Sequence, residues 1–473
     1  MDRRQALFES VVIAIIAAGA CARATRLSYS YYVDEVWVVE WARSGNGPFM
    51  HVPPLFRGVL RIVVALGGST APALRLPAFT AGVLLSAMPR LIADLTAPRL
   101  SQGGTIIWTT LLAFSSPIVF YSTQVKQYTL EALVSAVLLG LFIWVTHDTT
   151  DPRRWACYAA TGSMASTVLY SPVFVAASTA PAFLLLSGYS ERSRRETFLM
   201  ATIAHFAIYA VFLLAYVAYL HPTGLSATHL DDYFVRHPGF WDGSFTFVIH
   251  QTRLWFGQAF NLTRWTVPVF ALLVTYWLVG SDKGTLRRRW ALAIPGLLPP
   301  LLVLAASRYH LYPYGEVRLL LFALPGVFLL GALVVSDLIA EAGAKWLWLF
   351  PAAYLAVFAS NGVLRDTYNA TYMRVYDRGP LYEFVVSHHR RGEPLVASLP
   401  EASQLSAYYP AVQEDVVLAA EDLSYTAPPH ATRFWIIGRS GREPHQAQQS
   451  VAMTPLLSKR DNDGYAVMVD GHR

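Results

Sequence analysis

Cysteine and charge are what this chain has least of. Of its 473 residues only two are cysteines, Cys21 and Cys157. Both fall in apolar runs, so neither a disulfide framework nor a cysteine zinc site can be built from them. Charged residues make up 14%, against roughly a quarter in an ordinary soluble domain, which argues against a soluble globular protein. The net charge of +6 comes from basic residues spread over loop ends. With no single basic face there is no nucleic-acid footprint, and no nucleic-acid partner is expected. An internal repeat, a glycine-rich phosphate loop and an HExxH sequence are also missing.

What is present is apolar length. Hydrophobic residues reach 54% and the mean hydropathy is +0.37. They gather in blocks of roughly 17–22 residues, each long enough to cross a hydrocarbon core of about 30 Å. The blocks lie near 8–27, 71–92, 104–120, 126–146, 155–170, 172–188, 197–220, 264–280, 290–307, 317–336 and 345–361. The fifth and sixth are separated only by Tyr170-Ser171-Pro172. These blocks predict a polytopic α-helical membrane protein of about eleven transmembrane helices over residues 1–364. Residues 365–473 differ in kind. Short β-like runs at 394–399, 415–419, 433–438 and 465–469 alternate with helix-like stretches at 381–391 and 402–409, which predicts a small C-terminal α/β soluble domain.

Orientation follows from Lys and Arg in short loops. Alternate loops hold Arg3 and Arg4; Arg99; Arg153 and Arg154; Arg192, Arg194 and Arg195; Lys283 with Arg287, Arg288 and Arg289; and Lys345. The expectation is an inner-membrane, multi-pass protein with a cytoplasmic N-terminus and an extracytoplasmic C-terminal domain. The start of the chain, an apolar run ending at Cys21, also has the outline of a secretory or lipoprotein signal. Ala18 stands where lipoprotein signals carry a larger aliphatic residue, and ten further spans follow, so the run reads as a span.

The chemistry lies at the external ends of the spans. Residues 28–66 form a long external loop with two amphipathic helices expected near 34–44 and 53–66. Asp34 and Glu35 stand there side by side. Asp34 can serve as a helix N-cap; the pair can also deprotonate an acceptor, with one carboxylate orienting it or holding a divalent metal, Mg or Mn. Arg23, Arg26, Arg43, Arg57, Arg61 and Arg75 surround this loop against the topology bias. They read either as headgroup contacts or as a cationic surface for substrate phosphates. Lys126, with Gln124, Tyr121 and Tyr128 near it, sits at the external lip of the fourth span. It can snorkel to the interface, meet a phosphate, or pair with Glu131 one turn deeper. Arg308, His310, Tyr312, Tyr314 and Arg318 gather before the tenth span, a set suited to a phosphate. The loop 221–263 carries His229, Asp231, Asp232, His237, Asp242 and His250 and is long enough for a lid.

Three pieces together resemble the membrane glycosyltransferases of the GT-C superfamily, in the bacterial branch related to protein O-mannosyltransferases and the lipid A aminoarabinose transferase. They are Asp34-Glu35, YSTQVKQYTLEAL at 121–133 and HLYPYGEVRLLLFALP at 310–325. In that family the second piece resembles Ser-Gln-x-x-Arg-x-Tyr; here Lys126 stands in place of the arginine, which keeps the charge and loses the bidentate fork. The resemblance implies a polyprenyl-phosphate-linked sugar donor, an envelope glycan, glycolipid or protein as acceptor, transfer on the external face, and inversion. Carried onto this sequence, it makes Asp34 the catalytic carboxylate with Glu35 in support. Lys126, Tyr128, Arg318, His310 and Arg308 would lie at the donor phosphate, and Asp231, Asp232 and His250 at the acceptor or lid. Some relatives use a divalent metal and others none. Two other functions stay open at this point. A secondary transporter or flippase would place charges near mid-membrane, and a non-catalytic scaffold would need no carboxylate at all.

Overall fold

In the computed structural model the described residues are 2–27, 35, 38–39, 42, 52–68, 70–96, 100–186, 191–215, 217, 244–261, 266–279, 283–314, 317–343, 345–375, 379–397, 405, 410–418, 433–439, 454–460 and 464–470. The chain divides into two compact units, one of residues 1–25, 50–62 and 75–366, the other of 26–49, 63–74 and 367–473.

The protein is a polytopic helical membrane protein with a small C-terminal sheet. Its helices are α1 (Arg3–Ala24), α2 (Pro54–Ala65), α3 (Ala71–Thr96), α4 (Gln102–Phe114), α5 (Ser116–Tyr121), α6 (Tyr128–His147), α7 (Pro152–Val168), α8 (Pro172–Leu186), α9 (Glu191–Ala215), α10 (Phe245–Ala259), α11 (Thr266–Val279) and α12 (Lys283–Arg308). A 3₁₀ segment, Val317–Ala323, leads into α13 (Leu324–Ala342), and α14 (Leu349–Val375) follows. Among the described residues each predicted span overlaps a helix. Among the described residues seven helices are long and apolar enough to cross a membrane, while α8 and α11 are shorter apolar helices and α7 has 17 residues. Pro295, Pro299 and Pro300 lie inside α12 without ending it, because neighbouring helices can satisfy carbonyls that proline frees. Gly296 and Gly326 let α12 and α13 approach backbone to backbone. A Cβ on Gly296 would lie 2.8 Å from the Gly326 carbonyl oxygen.

The third span departs from expectation. The sequence predicts one helix over 104–120; the structure has two, α4 and α5, parted at Ser115. Pro117 is the reason, since it has no N–H to offer the carbonyl of Ala113 four residues earlier. Other side chains take up the freed groups. Arg23 donates Nη1 to Ala113 O at 2.9 Å and Nη2 to Leu112 O at 3.1 Å. Asn261, just past α10 with φ 49°, donates Nδ2 to Phe114 O at 2.8 Å and accepts from the Ser116 N–H at 3.0 Å. In a hydrocarbon setting each such group left bare would cost several kcal/mol, roughly, so the break is stable only because these two residues stand beside it.

One end of the bundle gathers acid–base pairs. Arg90 on α3 clasps Glu9 on α1 at 2.8 Å. Arg289, buried on α12, meets Glu341 on α13, donates to Trp277 O at 2.7 Å and stacks on the Trp277 ring. The opposite end holds the turns 121–127, 169–171 and 309–314.

In the second unit, α15 (Gly379–His388) precedes a five-stranded sheet of β1 (Leu395–Ala397), β2 (Val416–Leu418), β3 (Arg433–Arg439), β4 (Thr454–Arg460) and β5 (Gly464–Asp470), in the order β2-β1-β3-β5-β4. β1 pairs in parallel with β2 and β3, and β5 runs antiparallel to β3 and β4. Trp435, Ile437, Leu395, Ala397, Leu381, Tyr382 and Val385 form its core. Four strands and the first helix match expectation. β4 is not predicted from sequence, because TPLLSKR carries a proline and lacks apolar alternation. As an edge strand with a register shift between Pro455 and Leu457 it needs neither. Of the expected helix 402–409 only Leu405 lies among the described residues, helical and buried.

Candidate active site

The turn between α5 and α6 is held tightly. Ser122 closes α5; the Thr123 N–H bonds Phe120 O at 3.2 Å and the Lys126 N–H bonds Gln124 O at 2.8 Å. Gln124 and Val125 are buried and Lys126 is half-buried. Two residues on, Tyr128 opens α6, buried and edge to face with Tyr121 at 5.3 Å.

One turn deeper, buried Glu131 accepts a hydrogen bond from Ser171. A carboxylate in the first turn of a helix is favoured by the helix dipole. Around it stand phenols from three segments. Burial raises the Tyr170 hydroxyl to about 12, with the Arg57 charge drawing it down and Glu131 pushing it up. Tyr312 is held well above the usual phenol range by burial, then by the nearby Glu131 and Tyr128. Its hydroxyl donates to Leu319 O at 3.1 Å, and Arg318, half-buried, is the residue before Leu319. Lys126 and Arg318 thus sit on the two segments that flank the Glu131–Tyr312 cluster.

The segment after α12 is fastened at several points. Leu311 N–H bonds Ala306 O at 2.9 Å and His310 N–H bonds Ser307 O at 3.1 Å, closing the helix with His310 left-handed at φ 56°. Glycine is the usual residue there. Tyr314, buried, shares a 2.7 Å hydrogen bond with Thr252 on α10. Arg308 is exposed and His310 half-buried. His250 lies exposed on α10.

Other expected residues divide differently. Asp34, Asp231, Asp232, His229, His237 and Asp242 lie outside the described residues, as does Arg43. Glu35 is buried and helical, with Val38, Val39 and Ala42, also buried, at the spacing of one helix face. Among the described residues no group of three or more His, Cys, Asp and Glu could hold a metal, which does not bear on a site that would include Asp34. Arg23, grouped by sequence with the cationic surface, is fully buried and turned onto backbone carbonyls. Arg75 is buried, Arg57 half-buried and Arg61 exposed. Sequence alone offered Glu131 only as a partner for Lys126 and gave no role to Ser171 or Asn261; in the structure Glu131 accepts from Ser171. The pointers were a carboxylate inside an apolar run and the Ser-Ser-Pro at 115–117.

No protein-family profile matches the sequence, and no curated protein matches it by sequence. Solved structures do. ArnT from Cupriavidus metallidurans bound to undecaprenyl phosphate superposes with a TM-score of 0.60 at 13% identity, over 98% of this chain and 97% of that one. The apo form of the same protein gives 0.59 at 12% identity, over the same shares. ArnT is a GT-C protein.

The chain has the GT-C fold.

The match spans both units of the chain, so the GT-C likeness covers the small C-terminal sheet as well as the helices. The archaeal oligosaccharyltransferase of Archaeoglobus fulgidus, in complex with Zn and sulfate, matches at a TM-score of 0.49 and 13% identity, over 85% of this chain and 62% of that one.

Proposed function

We propose that this protein is an integral membrane glycosyltransferase. It transfers a sugar from a polyprenyl-phosphate-linked donor to an envelope glycan, glycolipid or protein on the extracytoplasmic face. The observation that carries this reading is the pair of fastened segments bearing Lys126 and Arg318. They border one buried cluster at one end of a GT-C bundle, and an ArnT of the same fold is bound to undecaprenyl phosphate.

In this reading Asp34 takes the proton from the acceptor hydroxyl or amine as that atom attacks the anomeric carbon. The bond from that carbon to the donor phosphate breaks, and the polyprenyl phosphate leaves with the bonding pair. Negative charge grows on the phosphate as the bond breaks, so Lys126 and Arg318 stabilise the transition state more than the ground state. A single direct displacement inverts the sugar. Tyr128, His310 and Arg308 are assigned to the same phosphate, and His250, Asp231 and Asp232 to the acceptor or lid. Glu35 supports Asp34; a Mg or Mn ion, where used, would sit on these two carboxylates. The candidate site charges lie at the ends of spans rather than near mid-membrane, which favours this reading over a transporter.

The test is mass spectrometry of envelope glycans and glycolipids from a deletion strain. Loss of one sugar residue, restored by the wild-type gene and not by Asp34→Asn, is the expected result. An unchanged glycan profile overturns the proposal.

A further inference from the structure

Arg23 does more at the α4–α5 break than the break requires. The two freed carbonyls, Leu112 and Ala113, are met by its terminal nitrogens at 3.1 and 2.9 Å. Nη1 also reaches Gly19 O on its own helix at 2.8 Å. The remaining nitrogen, Nε, points elsewhere and donates to Ser122 Oγ at 2.9 Å, across 99 residues of chain. Ser122 is the first residue of the turn that carries Lys126. Its hydroxyl passes the bond on, donating to Val119 O at 2.8 Å.

The other side of Ser122 is closed by α3. A Cβ on Gly82 would lie 2.5 Å from Ser122 Cβ and 3.2 Å from Arg23 Nε. Only a glycine fits between helix and turn there. From Ser122 the chain has little freedom before Lys126. Thr123 and Gln124 are buried, Val125 is fully buried, and the Lys126 N–H closes back on Gln124 O at 2.8 Å. A hydrogen bond from a charged donor is roughly twice as strong as a neutral one. The Lys126 backbone is therefore anchored to a guanidinium that is itself fixed on α1 and α4.

We infer that Arg23 is a positioning residue: through Ser122, and with Gly82 as backstop, it sets where Lys126 presents its ammonium to the donor phosphate. The inference rests on the proposed function. It assigns Arg23 no contact with substrate and separates it from the external arginines with which the sequence groups it. A long side chain on a loop is a poor electrostatic tool unless its base is fixed, and misplacement by about 1 Å can cost on the order of a hundredfold in rate.

The experiment measures binding of undecaprenyl phosphate to the full-length protein in nanodiscs, with thermal unfolding of each variant alongside. Ser122→Ala removes the acceptor of the Arg23 Nε bond while leaving the guanidinium on its carbonyls. Gly82→Ala pushes Ser122 from the opposite side. Ser122→Ala is expected to weaken binding roughly tenfold with little change in melting temperature; Gly82→Ala, which overpacks a closed contact, is expected to weaken binding to a similar degree and to lower the melting temperature as well. In a Lys126→Ala background neither should weaken it further, because the group they position is gone. Arg23→Lys keeps the charge and loses the fork, and should show the same binding loss. Wild-type binding by Ser122→Ala and Gly82→Ala, with binding lost in Lys126→Ala, overturns the positioning role and leaves the proposed function standing. So does a Ser122→Ala loss that persists undiminished on top of Lys126→Ala. Wild-type binding by Lys126→Ala itself overturns the phosphate cradle of the proposed function.

Discussion

Asn261 donates its Nδ2 to the carbonyl of Phe114 at 2.8 Å, across 147 residues of chain. The same side-chain nitrogen reaches Phe358 O at 3.2 Å, and its Oδ1 holds the Ser116 N–H. One left-handed asparagine thus ties α10, the α4–α5 break and α14 together. Asn261→Ala should lower stability by roughly 1–3 kcal/mol, since it orphans buried backbone groups and keeps a Cβ in left-handed backbone. Asn261→Gly should lose the hydrogen bonds without that strain and be somewhat milder. Melting temperatures in detergent check both. Variants as stable as wild type would remove Asn261 from this role.

Asp34→Asn keeps size and most capping ability and removes the base. Expression should persist while transfer falls about 10²–10⁴-fold. Glu35→Gln should be milder in turnover. Single-turnover rates with a polyprenyl-phosphate sugar donor measure both, and near wild-type turnover in Asp34→Asn would reduce that residue to a helix cap.

Lys126→Ala and Arg318→Ala should each weaken polyprenyl-phosphate binding by roughly 1.5–3 kcal/mol. Because both are proposed to act on one anion, the double variant should lose less than the sum. Lys126→Arg should keep much of the activity. Strict additivity would mean that the two cations serve different ligands.

Glu131→Gln retains an acceptor for the Ser171 hydroxyl, whereas Glu131→Leu leaves that hydroxyl buried without it. The leucine variant should be the less stable by about 1–3 kcal/mol, read as a difference in melting temperature. Equal melting points would show that the Ser171 bond contributes nothing to holding α6 against the α7–α8 turn.

Topology is checked by a reporter. The loop charges predict that residues 365–473 lie outside, so a phosphatase fused after Arg473 should be active in the periplasm. Activity of a cytosolic reporter at that position would reverse the orientation and the face of the reaction.

The apolar blocks by themselves determined that this is a polytopic helical protein, where its helices run, and that a small α/β region follows. Length and hydropathy are local properties, and a bilayer reads them locally. The strands β1, β2, β3 and β5 were legible for the same reason: each carries its own apolar run. β4 was not, because an edge strand draws on a neighbour's hydrogen bonds rather than on its own pattern. The candidate cations Lys126 and Arg318 were also visible, as charges at the ends of apolar runs. What only the tertiary structure decided is which arginine serves which partner. Arg23 and Arg57 look alike in sequence, yet one is sealed onto the carbonyls of a helix that Pro117 breaks, and the other lies near Tyr170. The freed carbonyls, the left-handed Asn261 and the clasp of Glu131 by Ser171 exist only once distant segments meet. A hydrogen bond between residues about a hundred apart leaves no periodicity for the sequence to display.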